Sequence, residues 1–264
     1  MQGDVLTPSL DYVDRALRMT SNNEKKAEEG KGKYVFAEAI AEQTRDPVEI
    51  RAQLLNILLA GRDTTADLLS WLFHELLRHP DVYDKLRGII LETFGTYDNP
   101  RDISFATLKG CQYLQYCMSE TLRFHTIVPI LARRSNKDTT LPSGGGPDGK
   151  SPIYVKAGTE VQYSYQVIHR RKDLWGDDAL EWKPERFHGR RPGWEFLPFN
   201  GGPRICIGQQ FALTEASYVV VRLLQKFDRI EADLSKLNGP ARSSLTLTSC
   251  PGDLIRLTMR EAKA

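Results

Sequence analysis

The chain has 264 residues, long enough to bury a sizeable core, and its 36 basic and 34 acidic residues leave a formal charge of only +2. That balance provides no electrostatic reason to expect nucleic acid or an anionic membrane as a partner. The four cysteines (Cys111, Cys117, Cys206, Cys250) lie far apart without a CxxC spacing, which fits a reduced compartment better than a disulfide scaffold.

The polar, acidic opening MQGDVLTPSLDYVDRALRMT has no apolar signal core, and no run of 18 apolar residues suggests a membrane span. SNNEKKAEEGKGK (21–33) reads as a charged loop. Residues 46–80 read as one long helix, with Asp46 as N-cap, Pro47 at the first position and Pro80 closing it. It is apolar on most faces and spans roughly 50 Å at 1.5 Å per residue. Pro80–Phe94 and Gln112–Phe124 are expected as further helices. LPSGGGPDGKSP (141–152) reads as a Gly/Pro turn region, followed by short strands at Ile153–Val155 and Glu160–Tyr165. A helix over Gln209–Phe227 and a hairpin in LTLTSCPGDLIRLTM (245–259), turning at Pro251-Gly252, complete the pattern. The expected class is α+β, mainly α, with small sheets attached.

Three stretches break the local rules. The first is Ala60-Gly61-Arg62-Asp63-Thr64-Thr65, in the middle of the long helix. A mid-helix Gly costs about 1 kcal/mol against Ala, and Asp and Thr prefer caps. Their side chains compete for backbone groups, so a loosened ladder and a groove are expected there. A broken rule inside a consistent element tends to mark function. The second is MSETLRFH (118–125), where Glu120 and Arg123 share a helix face; with Arg186 of Pro184-Glu185-Arg186-Phe187 they suggest a partly buried Arg–Glu–Arg cluster.

The third is FNGGPRICIGQQFA (199–212), in which Phe199, Gly202, Arg204, Cys206 and Gly208 follow the pattern F-x-x-G-x-R-x-C-x-G. Gly201 and Gly202 permit a tight turn with amide hydrogens pointing inward. A helix beginning near Gly208 brings its positive end to the sulfur, and both features favour an anionic thiolate. A lone sulfur is a poor zinc site but a good single axial ligand for a metal held by a macrocycle. Two other readings stand beside this one. A catalytic cysteine needs a histidine partner, and none of His74, His79, His125, His169 and His188 has a context that recommends it. A buried structural cysteine leaves the glycines and Arg204 unexplained.

AGRDTT, ETLR, PERF and FNGGPRICIG, in this order over about 150 residues, resemble the C-terminal half of a cytochrome P-450, a haem-thiolate monooxygenase. The resemblance implies haem b as cofactor with Cys206 as proximal iron ligand, Phe199 on the sulfur side of the porphyrin, and Arg204 on a propionate. It aligns Arg133 with a second propionate contact, adjacent Arg134 competing for that position. Asp63 and Thr64 match the acid–alcohol pair that handles protons on the distal side, while Glu120, Arg123 and Arg186 match structural positions. Ala60 stands where some animal fatty-acid hydroxylases carry a glutamate bonded to haem, so a haem without that link is expected.

Within the family, GGPRICIGQQFALTEASYVVVRLLQ and HRRKDLWGDDALEWKPERF look most like fungal hydroxylases of n-alkanes and fatty acids. The implied partners are O2, a hydrophobic substrate and an NADPH-dependent FAD/FMN reductase, with no nucleic acid. The implied location is the cytosolic face of the endoplasmic reticulum membrane. Family chains are about twice this length, so residues 1–264 are expected to form a single partial domain, without the N-terminal half or the membrane anchor. Alternatives are a truncated, non-catalytic fragment or pseudogene product, a secondary-metabolism monooxygenase, and a haem-thiolate sensor or isomerase. The intact Asp63-Thr64 pair argues against the last.

Overall fold

In the computed structural model, the described residues are 13–14, 17–18, 36–235, 241–243, 248–252 and 256–262. They belong to two compact units, divided after Arg62. In the first, helix α1 (Phe36–Gln43) and the opening turns of α2 (Pro47–Arg78) belong to a small core of Val13, Ala41 and Ile50, flanked by Leu17, Ile40 and Leu54. Asp46 caps α2 as expected: its Oδ1 accepts from the Val48 amide at 2.9 Å.

The second unit, from Asp63 onward, has its main core where the rest of α2 meets α3 (Pro80–Phe94), α5 (Gln112–Phe124) and α8 (Gln209–Lys226). Leu72, Leu86, Ile90, Phe94, Leu114, Met118, Val220 and Leu224 are fully or almost fully buried there. The short helix α4 (Phe105–Gly110) carries no periodicity to announce it. It is held by reciprocal capping between Ser104 and Thr107.

The described strands pair two by two, all antiparallel. Strand β1 (Ile130–Arg134) pairs with β4 (Glu160–Ser164), and β2 (Thr139–Gly145) with β3 (Ser151–Val155). Two short helices, α6 (Tyr165–Ile168) and α7 (Lys172–Trp175), follow β4. Strand β5 (Phe227–Glu231) pairs with β8 (Thr258–Glu261), and β6 (Arg242–Ser243) with β7 (Ser249–Cys250). The mainly helical α+β class is as expected.

Three local expectations need correction. Among the described residues, β7 and β8 on either side of Pro251-Gly252 pair with β6 and β5 rather than with each other; 245–247 and 253–255, on which the expected hairpin also depends, lie outside the described residues. Partners brought in from Arg242 and Phe227 satisfy the ladders that local pairing would have used. The Gly/Pro stretch 141–152 is largely strand, because Leu141 to Gly145 continue β2 and only Gly146 to Lys150 turn. Helix α2 also runs unbroken through Ala60–Thr65. What Gly61 contributes is a missing side chain rather than a broken ladder: a Cβ there meets nothing within 4 Å.

The Arg–Glu–Arg cluster forms. Glu120 and Arg123 are both 0% exposed, joined by two parallel bonds of 2.7 Å. Arg186 Nε reaches Glu120 Oε1 at 3.2 Å, and the Lys183 amide donates to the same oxygen at 2.9 Å. The remaining Arg123 donors go to the carbonyls of His169, Ala179 and Glu181. A buried ion pair persists only where desolvation is answered this fully. The cluster ties α5 to the 3₁₀ turn Pro184–Phe187 beneath the segment that leads to Cys206.

Candidate functional site

The segment 199–208 is built as a compact turn in front of α8. Asn200 and Gly202 both adopt left-handed backbone, with φ of 66° and 69°. The Cys206 amide donates to the Phe199 carbonyl at 2.9 Å and the Ile205 amide to that of Gly202 at 3.1 Å, closing the loop on itself. Gly201 is closely packed, and a Cβ there would lie 2.8 Å from the exposed Trp194 ring, which would have to move. The Phe199 ring packs against the main core, which anchors one end of the turn. At the other end Gly208 is the N-cap of α8 and offers no side-chain cap, so the first amides of the helix stay open toward the cysteine side. A Cβ on Gly208 would stand 4.0 Å from the Cys206 sulfur.

The loop is tethered to the rest of the unit through Asn200. Its Oδ1 accepts from the Tyr165 hydroxyl at 2.6 Å and its Nδ2 donates to the Arg204 carbonyl at 2.9 Å. Tyr165 packs edge-on to Tyr163, with centroids 5.4 Å apart, and the Arg133 guanidinium lies 5.9 Å from the Tyr163 ring. Burial, then the Tyr163 contact, pushes the Tyr165 hydroxyl well above the usual phenol range, so it remains a proton donor to Asn200. Arg133, from strand β1, is thus connected to the cysteine turn through two tyrosines and an asparagine.

Cys206 itself is exposed, among exposed apolar neighbours; Ile207 is 94% and Phe211 72% accessible. This overturns the buried structural cysteine. The catalytic-cysteine reading loses its partner too. His74, His79 and His125 gather at Glu75, His169 bonds to Thr126 and the Leu197 amide, and His188 lies against Tyr116. Among the described residues, the group of three side chains able to share a metal ion is His74, Glu75 and His125, so Cys206 is a single donor. One sulfur on a closed turn, beside exposed Ile205, Ile207 and Phe211 and two residues after basic Arg204, fits an iron whose other ligands come from a porphyrin.

Asp63 and Thr64 are not part of this turn; they stand half-buried on α2, followed by buried Thr65, whose Oγ1 has no hydrogen-bond partner. One turn further on, Asp67 bonds Thr248, and burial raises its carboxyl pKa, with the nearby Asp63 charge adding to the effect. Trp71 Nε1 donates to the Ser249 carbonyl at 2.9 Å, and the Ser249 amide to that of Ile127 at 2.7 Å. This face of α2 is therefore held against two chain segments far away in sequence.

The sequence reading passed over Glu75 and its histidines. Burial pushes the Glu75 carboxyl up, but the bonds to His125 and His74 outweigh it and bring it down to about 2. Nothing local announces this, because His125 is 50 residues away.

The cytochrome P-450 family model matches residues 11–254. The chain belongs to the cytochrome P-450 family. It is 60% identical over 221 residues to cytochrome P-450 monooxygenase g430 of a Fusarium species, covering 84% of this chain and 38% of that protein. It is 53% identical over 252 residues to cytochrome P-450 52A13 of Debaryomyces hansenii, covering 94% and 48%. With cytochrome P-450 52A4 of Candida maltosa it shares 49% over 252 residues, covering 93% and 46%. The chain spans about half the length, or less, of these relatives.

Proposed function

We propose that this P-450 chain carries the haem-binding and proton-delivery part of a monooxygenase that inserts one oxygen atom of O2 into a C–H bond of a hydrophobic substrate. The second oxygen atom leaves as water, using two protons and two electrons from NADPH through an FAD/FMN reductase. The observation that carries the reading is the exposed single sulfur of Cys206 on its closed turn at the start of α8. Haem bound there supplies the oxygen-activating redox chemistry.

The chain's own residues hold and serve that group. Cys206 would provide the iron ligand, with the uncapped first amides of α8 next to it. Phe199 would stand next to the bound group, and Gly202 and Gly208 would keep side chains out of its way. Arg204 and Arg133 would neutralise the group's carboxylates, Arg133 being linked to the turn through Tyr163 and Tyr165. On α2, the Asp63 carboxylate and Thr64 hydroxyl hold water and pass protons toward the oxygen site. Glu120, Arg123 and Arg186 keep the supporting frame rigid.

Alkanes or fatty acids are the proposed substrate class. The reading is supported by similarity to the fungal relatives and by the apolar stretch Val128 to Leu131, with Ile130 57% exposed. The resemblance also assigns the whole protein to the cytosolic face of the endoplasmic reticulum; no described helix is itself long and apolar enough to cross a membrane.

Two measurements test this. Replacing Cys206 with Ser in the full polypeptide should abolish the ferrous–CO spectrum of a thiolate-bound haem and turnover together; survival of both would end the proposal. Thr64→Ala should keep CO binding but lower the fraction of NADPH oxidation that yields product, by about tenfold. Unchanged coupling would remove Thr64 from proton delivery.

A further inference from the structure

We propose that His74, Glu75 and His125 form a binding site for a divalent transition-metal ion of the zinc type, separate from the cysteine turn. His74 Nδ1 lies 3.2 Å from Glu75 Oε1, and His125 Nε2 approaches the same oxygen to 2.6 Å. The three ligand atoms all lie within 4.8 Å of one another, on side chains that are at least nine-tenths buried. A fourth group, His79 Nδ1, stands 3.5 Å from Glu75 Oε2. Three of the chain's five histidines therefore meet at one glutamate. The Arg170 guanidinium also acts on this carboxylate from a distance, but the groups bonded to it are imidazoles, which assemble the nitrogen donors that zinc-like ions prefer.

The geometry requires movements of about 1 Å. Ligands about 2.1 Å from a tetrahedral ion stand roughly 3.4 Å apart, close to the existing His74–Glu75 separation. His125 has to move off Glu75 by about 1 Å, and the two histidine nitrogens, within 4.8 Å of each other, have to close by up to about 1.4 Å. The His125 ring is stacked on Trp71 at 3.7 Å and 9°, which leaves in-plane sliding as its easiest motion. Trp71 is fixed in turn by its bond to the Ser249 carbonyl.

A cavity of about 780 Å³, lined by His74, Glu75, His79 and His125 with Phe124 and Trp182, provides an entry path and room for a water as fourth ligand. Arg78 and Lys183 also line it. With two neutral nitrogens and one carboxylate, the donor set suits zinc and its neighbours rather than calcium or magnesium, which require more oxygens.

The test uses metal-depleted full chain dialysed against zinc chloride. About one zinc per chain should bind, at least tenfold more weakly in His74→Gln and His125→Gln and unchanged in His188→Gln. Zinc absorption-edge spectroscopy on the unaltered chain, which needs no variant to fold, should report nitrogen and oxygen ligands including two imidazoles. Ligation through sulfur, no binding at micromolar zinc, or equal affinity in a well-folded His125→Gln protein would each overturn the site.

Discussion

The Glu120–Arg123–Arg186 cluster and the Cys206 turn lie on the same unit and solve opposite problems. In the cluster every strong donor and acceptor is answered from within: Glu120 and Arg123 are 0% exposed, and Arg123 alone donates to three carbonyls besides its carboxylate. At the turn the backbone is closed on itself, yet the one reactive group, Cys206, is exposed beside exposed Ile205, Ile207 and Phe211. The proposed iron ligand is therefore the exposed group of this pair of regions, and the ion pair the enclosed one. Satisfaction marks structure here, and a rigid, unsatisfied group marks chemistry.

The comparison breaks most visibly if the cluster is opened. Arg123→Ala strands the Glu120 charge with only Arg186 and the Lys183 amide, and leaves three carbonyls short of a donor. A loss of about 3–5 kcal/mol is expected, read by urea unfolding or by loss of soluble protein. A cost below about 1 kcal/mol would make the cluster ornamental.

A pH series probes the same region more gently. His169 accepts the Leu197 amide on Nε2 at 2.9 Å and presents Nδ1 to the Thr126 hydroxyl at 3.2 Å. Burial, with the Arg123 charge beside it, lowers its pKa from 6.5 to about 4. The native state therefore refuses a proton that the unfolded chain accepts between those values. Its contribution is fully present above pH 6.5 and is lost as pH falls toward 4, by roughly 3 kcal/mol in all. Stability measured from pH 7 to 4.5 should fall more steeply in the parent than in His169→Gln. Parallel curves would show that the ring is protonated without penalty.

The smallest effect sharpens the other side of the comparison. Gly202 has φ +69° with open space where a Cβ would stand, so Gly202→Ala carries backbone strain alone, about 1 kcal/mol. That cost should appear in unfolding measurements while the Arg123 network stays intact. No measurable change would mean that the turn is softer than its closed hydrogen bonds imply.

Legibility followed the range of the signal. The ends of α2 and α3 could be read because Asp46, Pro47 and Pro80 act within one turn of themselves. The glycine-flanked Cys206 was equally readable, since its turn is closed by bonds spanning seven residues or fewer. Around Pro251-Gly252 the described strand partners could not be read locally, because Cys250 pairs with Arg242 and Thr258 with Glu231, ladders set by distant segments. The mid-helix irregularity was seen but misread, because a single Gly in a helix of 32 residues does not break its hydrogen-bonded ladder.

By itself, then, the amino-acid order determined the helical frame, the ion-pair members and the cysteine turn, all governed by neighbours a few positions away or by charges with a single sensible partner. Only the tertiary structure decided that β5 pairs with β8, that Arg133 reaches the turn through Tyr163, Tyr165 and Asn200, and that His125 meets Glu75. Those contacts join residues tens of positions apart, and buried polar groups take whichever partner the packed core brings within bonding distance.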